Sequence, residues 1–183
     1  MHHDFRKGLR HGLPIGLGYL SVAFAFGITA SGSGLTPLQA LLVSMANVTS
    51  AGQLAGVQLI AAGAATAGFP GLLQMALTQL TINLRYALMS ISLSQKLDAD
   101  MGTLQRMIFS FCNTDEIFAV AISQEGRLNR KYLYGLMVYP YVGWSLGTYL
   151  GAVAGDLMPA FVQNALGRLL YCVTIQPMAP AFC

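Results

Sequence analysis

The chain has 183 residues, of which 55% are hydrophobic and only 9% charged. A soluble domain carries about 25% charged residues, so the composition excludes a soluble class and points to an integral membrane protein. The formal net charge of +3 is small and its basic residues are scattered among loops and helix ends, which excludes a nucleic-acid-binding footprint.

The first residues mimic a secretory signal, with Arg6, Lys7 and Arg10 before an apolar run. A cleaved signal precedes a polar mature chain; here more apolar spans follow, so the run reads as a retained helix. His2, His3 and His11 read as part of a solvated basic tail over 1–11. The first span is Leu13 to Ser31, about 19 residues, close to the ~20 needed to cross the hydrocarbon. Gly32 to Pro37 is an uncharged turn. From Gly12 to Leu84 there is no Asp, Glu, Lys or Arg.

Leu38 to Phe69 is too long for one simple helix and short for two. Its middle, Asn47-Val48-Thr49-Ser50-Ala51-Gly52-Gln53, is polar and small, which predicts a broken or re-entrant helix. Pro70, suited to a helix's first turn, opens a span to about Leu93. Ser94 to Gln105 is a polar loop. Arg106 to Ser123 reads as the next span. Gln124 to Lys131 is a charged loop, and Tyr132 to Ala154 a further span with Pro140 as a kink site. Ala160 to Gln176, with Gln163, Asn164 and Arg168, is at best a poor span. The expectation is an all-α polytopic membrane protein of about five to six spans, with broken helices near Asn47–Gln53 and Asn113–Glu116. Residues 1–183 form a single transmembrane domain, ill-defined over 160–183.

Basic residues set orientation. Arg6, Lys7 and Arg10 place the N-terminus inside, and Arg127, Arg130 and Lys131 place their loop inside. Both hold only if Leu38 to Phe69 crosses an odd number of times. The loop with Lys96, Asp98 and Asp100 is then expected outside.

Gly143, Gly147, Gly151 and Gly155 recur every four residues, so they share one helix face and allow close backbone approach. Packing within the bundle is the favoured reading, and a subunit interface the alternative. Cys112, Cys172 and Cys183 show no metal-ligand or redox spacing and read as packing residues.

Three polar clusters fall within apolar spans. In the first, Ser50 and Gln53 have capping-box spacing. A half-helix starting at Ser50 would present free N–H groups to a carboxylate, as discontinuous helices of transporters do. Asn47, Ser50, Gly52, Gln53 and Asn83 are the candidate substrate-binding residues. The second cluster is Asn83-Leu84-Arg85, where Arg85 is the only charge in its span; it either snorkels to the headgroups or pairs with an acid. The third is Thr114-Asp115-Glu116, with Asn113 as a possible N-cap. Adjacent positions point about 100° apart on a helix, so Asp115 and Glu116 should not serve the same partner. Arg85, Asp115 and Glu116 sum to −1, and one proton makes the set neutral, as proton coupling requires. A structural ion pair is the plain alternative. No hydrolase triad, nucleotide loop or dinucleotide fingerprint is present, so an enzyme is not expected and no cofactor is implied.

These residues resemble the AzlC family, the large subunit of two-part branched-chain amino acid exporters. The resemblance runs from Gly12 to about Pro159. It rests on Pro14 and the glycine-rich first span, Thr49-Ser50-Ala51-Gly52-Gln53, Asn83-Leu84-Arg85-Tyr86, and Thr114-Asp115-Glu116 followed by Phe118-Ala119. It implies a cell (inner) membrane permease for proton-linked export of valine, leucine, isoleucine and sometimes methionine, with a small AzlD-type membrane partner. The chain departs from the pattern at Thr49-Ser50, where many members carry Ala-Gly, and over Gly167 to Cys183, which reads as a truncated or altered end. The expected roles put the substrate carboxylate near Ser50 to Gln53 and its ammonium near Asp115 or Glu116. An uncoupled polar channel and a non-transporting subunit that docks through Gly143 to Gly155 are the alternatives.

Overall fold

The computed structural model describes residues 3–63, 66–98, 100–159, 161–162 and 165. The helices are α1 (His3–Gly32), α2 (Pro37–Ala46), α3 (Ser50–Ala61), α4 (Gly68–Ser94), α5 (Thr103–Cys112), α6 (Asp115–Ile122) and α7 (Arg130–Leu157). The all-α class is as expected, and both anticipated breaks are present, at residues 47–49 and 113–114. Residues 3–11 of the expected tail are helical and form the first turns of α1, which continues through Pro14. Most of Ala160 to Gln176 lies outside the described residues.

Local chemistry explains the ends. Thr36 caps α2 through a reciprocal box with Gln39, and Pro37 takes the first helical position, where its missing N–H costs nothing. Gly34, at φ +87°, makes the turn between α1 and α2 that a residue with a Cβ would resist.

At ~1.5 Å per residue, α1, α4 and α7 can each span a ~30 Å hydrocarbon core, whereas α2, α3, α5 and α6 reach about half of it. α1 is long and apolar enough to cross a membrane. Exposure is inverted relative to a soluble protein. Leu77, Leu80, Leu84 and Leu88 of α4 are 54–63% exposed, while Ser44, Gln53 and Thr148 are at most 1% exposed. An apolar exterior with a few polar groups kept inside an apolar core is what lipid selects.

The chain divides into two compact units. Unit 1 holds the N-terminal part of α1 to Tyr19, α4 from Asn83, all of α5 and α6, and α7 to Gly143. Its core packs Leu93, Leu97, Phe109, Ile117, Leu133 and Leu136. Unit 2 holds α1 from Leu20, all of α2 and α3, α4 to Ile82, and α7 from Trp144. Its core packs Phe26, Ala30, Ala40, Val57 and Ala152.

Glycines set the α1–α7 contact. In unit 1 a Cβ on Gly12 would run into the Leu136 backbone, and one on Gly143 into Gly16. In unit 2, Gly27 abuts Thr148, Gly151 abuts Phe24, and Gly147 and Gly155 also face α1. Numbers rise together on both helices, so α1 and α7 run parallel. The Gly143-to-Gly155 face is therefore filled by α1, which corrects the alternative of a subunit interface there: small residues draw the two helices of one chain together.

α5 and α6 form a returning pair, not the single span expected over Arg106 to Ser123. Leu97 and Leu128 make a parallel bridge. Asp98 N–H donates to the Leu128 carbonyl at 3.2 Å and Leu128 N–H to that of Lys96 at 2.8 Å. Lys96 Nζ donates to the Ile122 carbonyl at 2.6 Å, at the C-terminal end of α6. The loop that enters α5 is thus pinned to the loop that leaves α6. This overturns the expected placement of the Asp98 and Arg127 loops on opposite sides. The physical reason is length: neither half-helix of a broken pair reaches across the hydrocarbon, so the pair re-enters.

Candidate functional site

In unit 1 the break between α5 and α6 is built by Asn113 and Thr114. Asn113 closes α5, and its Nδ2 donates to Ser90 Oγ of α4 at 3.2 Å. Asn113 is thus the C-cap of α5 and not the N-cap of α6, which corrects the expectation; its side chain is spent on α4. Thr114 occupies the N-cap of α6 in extended backbone, without a capping bond from its side chain. Asp115 and Glu116 follow in the first turn, where the helix dipole favours negative charge.

The two acids take different partners. Asp115 Oδ2 lies 3.0 Å from Arg85 Nη1. Arg85 also donates from Nη2 to the Tyr86 hydroxyl at 2.8 Å, and its guanidinium carbon stands 4.8 Å from the Tyr86 ring centre. Glu116 accepts from the Tyr19 hydroxyl of α1. The same hydroxyl is 2.5 Å from Thr114 Oγ1. Arg85 therefore pairs with an acid, and among the described residues Glu116 has no guanidinium beside it. At the other end of α6, Lys96 meets the Ile122 and Gln124 carbonyls, placing positive charge where the dipole favours it. A cavity of about 20 Å³ between α4 and α5 is lined by Ser90, Ser94, Arg106, Ser110 and Asn113. It has room for about one water, and the buried Asn113 Oδ1 has no protein partner there.

Unit 2 carries the other break. Asn47 closes α2, and Thr49 caps α3 by accepting from Gly52 N–H at 3.0 Å. The capping box expected between Ser50 and Gln53 does not form. Thr49 holds the cap, and Gln53 Oε1 accepts from Ser44 Oγ at 2.9 Å. Ser44 Oγ is also 2.6 Å from Thr148 Oγ1 of α7. Gln53 is 1% exposed, and among the described residues its Nε2 has no hydrogen-bond partner. Gln79 of α4 straps the break: Asn47 Nδ2 donates to its Oε1 at 3.3 Å, and its Nε2 donates to the Gly52 carbonyl at 2.7 Å. A Cβ on Gly52 would come 2.9 Å from Gln79 Oε1 and 3.1 Å from Asn47 Nδ2, so the strap needs glycine.

Among the expected substrate-binding residues, Asn47, Ser50, Gly52 and Gln53 gather at this break. Asn83 belongs to unit 1 with Arg85, Asp115 and Glu116. Sequence reasoning missed Tyr19, Ser44, Gln79, Ser90 and Thr148. Only Gln79 left a signal, as an amide inside an uncharged apolar helix. Chemically, unit 1 offers a net negative cluster able to hold a cation or a proton. Unit 2 offers a buried amide donor to an anion or carbonyl oxygen.

The model of the family described as AzlC protein matches residues 14–158. The chain is 31% identical over 173 residues to "Inner membrane protein YgaZ" of Escherichia coli, covering 91% of this chain and 68% of that protein. It is 32% identical over 154 residues to an "Uncharacterized membrane protein" of Archaeoglobus fulgidus, covering 84% of this chain and 64% of that one. The chain spans about two thirds of the length of these relatives. No solved structure matches. A match of this extent, over the stretch that carries both broken helix pairs, identifies the chain as a membrane protein of the AzlC family, which is associated with amino acid transport and not with an enzymatic activity.

Proposed function

We propose that this chain is the permease subunit of an exporter of branched-chain or similar neutral amino acids, coupled to protons and working with a small AzlD-type membrane partner. The observation that carries the reading is the cluster at the α5–α6 break. An Arg85–Asp115 ion pair at 3.0 Å stands beside a second acid, Glu116, with which no guanidinium pairs among the described residues. A charge at bilayer depth costs on the order of 3 kcal/mol, so an extra acid there points to a working group. In this reading a proton meets Glu116, and Asp115 with Arg85 fixes the geometry. The substrate carboxylate takes the Gln53 amide and the first turn of α3, where Thr49 already satisfies Gly52 N–H.

The location is the inner membrane, with several crossings. The bridge at Leu97–Leu128 and the Asn129-to-Asp4 hydrogen bond of 3.4 Å gather Arg6, Lys7, Arg10, Lys96, Arg127, Arg130 and Lys131 toward one side. The positive-inside rule makes that side cytoplasmic. Counterflow of labelled valine in proteoliposomes, with and without the small partner, tests the substrate class. The expected result is saturable exchange that unlabelled leucine and isoleucine compete. Exchange that a polar or acidic amino acid competes equally well would refute it.

A further inference from the structure

The Tyr19 hydroxyl has one proton and lies within hydrogen-bond distance of both Glu116 Oε2 and Thr114 Oγ1. It cannot donate to both. A hydroxyl gives one donor and accepts through two lone pairs, so the three groups must form a directed chain. With Glu116 ionised, the carboxylate can only accept, so Tyr19 donates to it and Thr114 donates to Tyr19. With Glu116 protonated, the direction can reverse. The carboxyl O–H donates to Tyr19, Tyr19 donates to Thr114, and the Thr114 proton is released to turn elsewhere. The step takes one proton from water and forms one O–H bond at the Glu116 carboxylate.

We infer that Tyr19 is the positioning residue through which the protonation state of Glu116 is transmitted to the α5–α6 break. Thr114 is where that signal arrives, because it is the N-cap residue of α6 yet its side chain makes no capping bond. The matching residue of unit 2 shows what Thr114 forgoes: Thr49 caps α3 at 3.0 Å. The Thr114 hydroxyl is turned onto Tyr19 and makes no bond to the first amides of α6. A chain reversal at Tyr19 thus changes which hydrogen bonds Thr114 can make at the hinge between two half-helices. The titratable and charged groups facing Glu116 are Tyr19 of α1, Arg85 and Tyr86 of α4, and Asp115 beside it. Asp115 is held by Arg85, which leaves Glu116 as the acid that the hydroxyl chain reads.

The inference rests on the proton-coupled reading, and its test separates the two. Valine counterflow is measured across a pH series for the parent, Tyr19→Phe and Glu116→Gln, with the partner subunit present. Infrared difference spectra on acidification follow the Glu116 carboxyl band, assigned by its loss in Glu116→Gln. Tyr19→Phe keeps the ring, so it leaves the valine KM within about twofold. It changes the pH profile of transport relative to the parent, because the hydroxyl that faces the Glu116 carboxyl is gone. The carboxyl C=O band moves to higher wavenumber as its hydrogen bond is lost. Thr114→Ser, which keeps the hydroxyl, retains the parent profile. A carboxyl band unmoved in Tyr19→Phe overturns the inference, whatever the profile does. A parent with no pH dependence counts against proton coupling, and the infrared band still decides the Tyr19 contact.

Discussion

Arg85 Nη1 lies 3.0 Å from Asp115 Oδ2, joining the part of α4 in unit 1 to the first turn of α6. Each side chain is nearly half exposed, at 44% and 46%. In water such a pair would contribute little. Between apolar helices the alternative is an unpaired charge in hydrocarbon, and the pair then fixes where α6 begins.

The first prediction concerns that pair. Arg85→Gln leaves Asp115 unpaired, and Asp115→Asn leaves Arg85 unpaired. Each single change should destabilise the protein, and the double change should cost less than the sum. A coupling energy on the order of 1–3 kcal/mol is expected for groups in direct contact. Unfolding in mild detergent measures it; strict additivity would show that the pair does not act as one.

The glycine contact gives a second. Gly27→Leu and Gly151→Leu force a side chain into the facing backbone of unit 2. Overpacking costs about 1–3 kcal/mol and more where backbone must shift, so both should lower the melting temperature by several degrees. Gly18→Ala is the control, since a methyl there meets nothing within 4 Å. Equal melting temperatures for all three would contradict the α1–α7 packing.

Gln53 gives a third. Gln53→Leu removes the buried amide and should raise the valine KM by about tenfold, equivalent to ~1.4 kcal/mol. Ser44→Ala removes the Ser44–Gln53 bond of 2.9 Å but keeps the amide, and should leave KM within about threefold. Valinamide, which lacks the carboxylate, should compete poorly in the parent and no worse in Gln53→Leu. A KM unchanged by Gln53→Leu would remove the carboxylate assignment.

Topology is the fourth. Reporters fused after Asp98 and after Arg127 should read the same, cytoplasmic side, because Leu97 and Leu128 are bridged. Opposite readings would break the re-entrant arrangement of α5 and α6.

Much of this fold was legible in the residues. Uncharged apolar runs located the long helices, and Asn47 to Gln53 and Asn113 to Glu116 marked both breaks. Arg85 opposite adjacent acids announced an ion pair. The re-entry of α5–α6 was not legible. A broken span and a returning pair have the same hydropathy, and what decides between them is a bridge between residues 97 and 128 with no sequence signature. Tyr19 and Thr148 were invisible for a similar reason. A tyrosine or threonine in a membrane helix is ordinary, and each gains its role from a partner about a hundred residues away. The caps were misread by one position because Ser50, Thr49, Asn113 and Thr114 are all good cap formers. Side-chain competition from Ser44 and Ser90 settled which served.

Proton movement under an amino acid gradient tests the central claim most directly. Proteoliposomes holding the chain and its small partner are loaded with valine and a pH-sensitive dye at equal internal and external pH. The account predicts that a valine gradient alone drives a pH change inside the vesicles, and that Glu116→Gln abolishes it while valine exchange persists. Valine running down its gradient with no proton flux in the parent would contradict it.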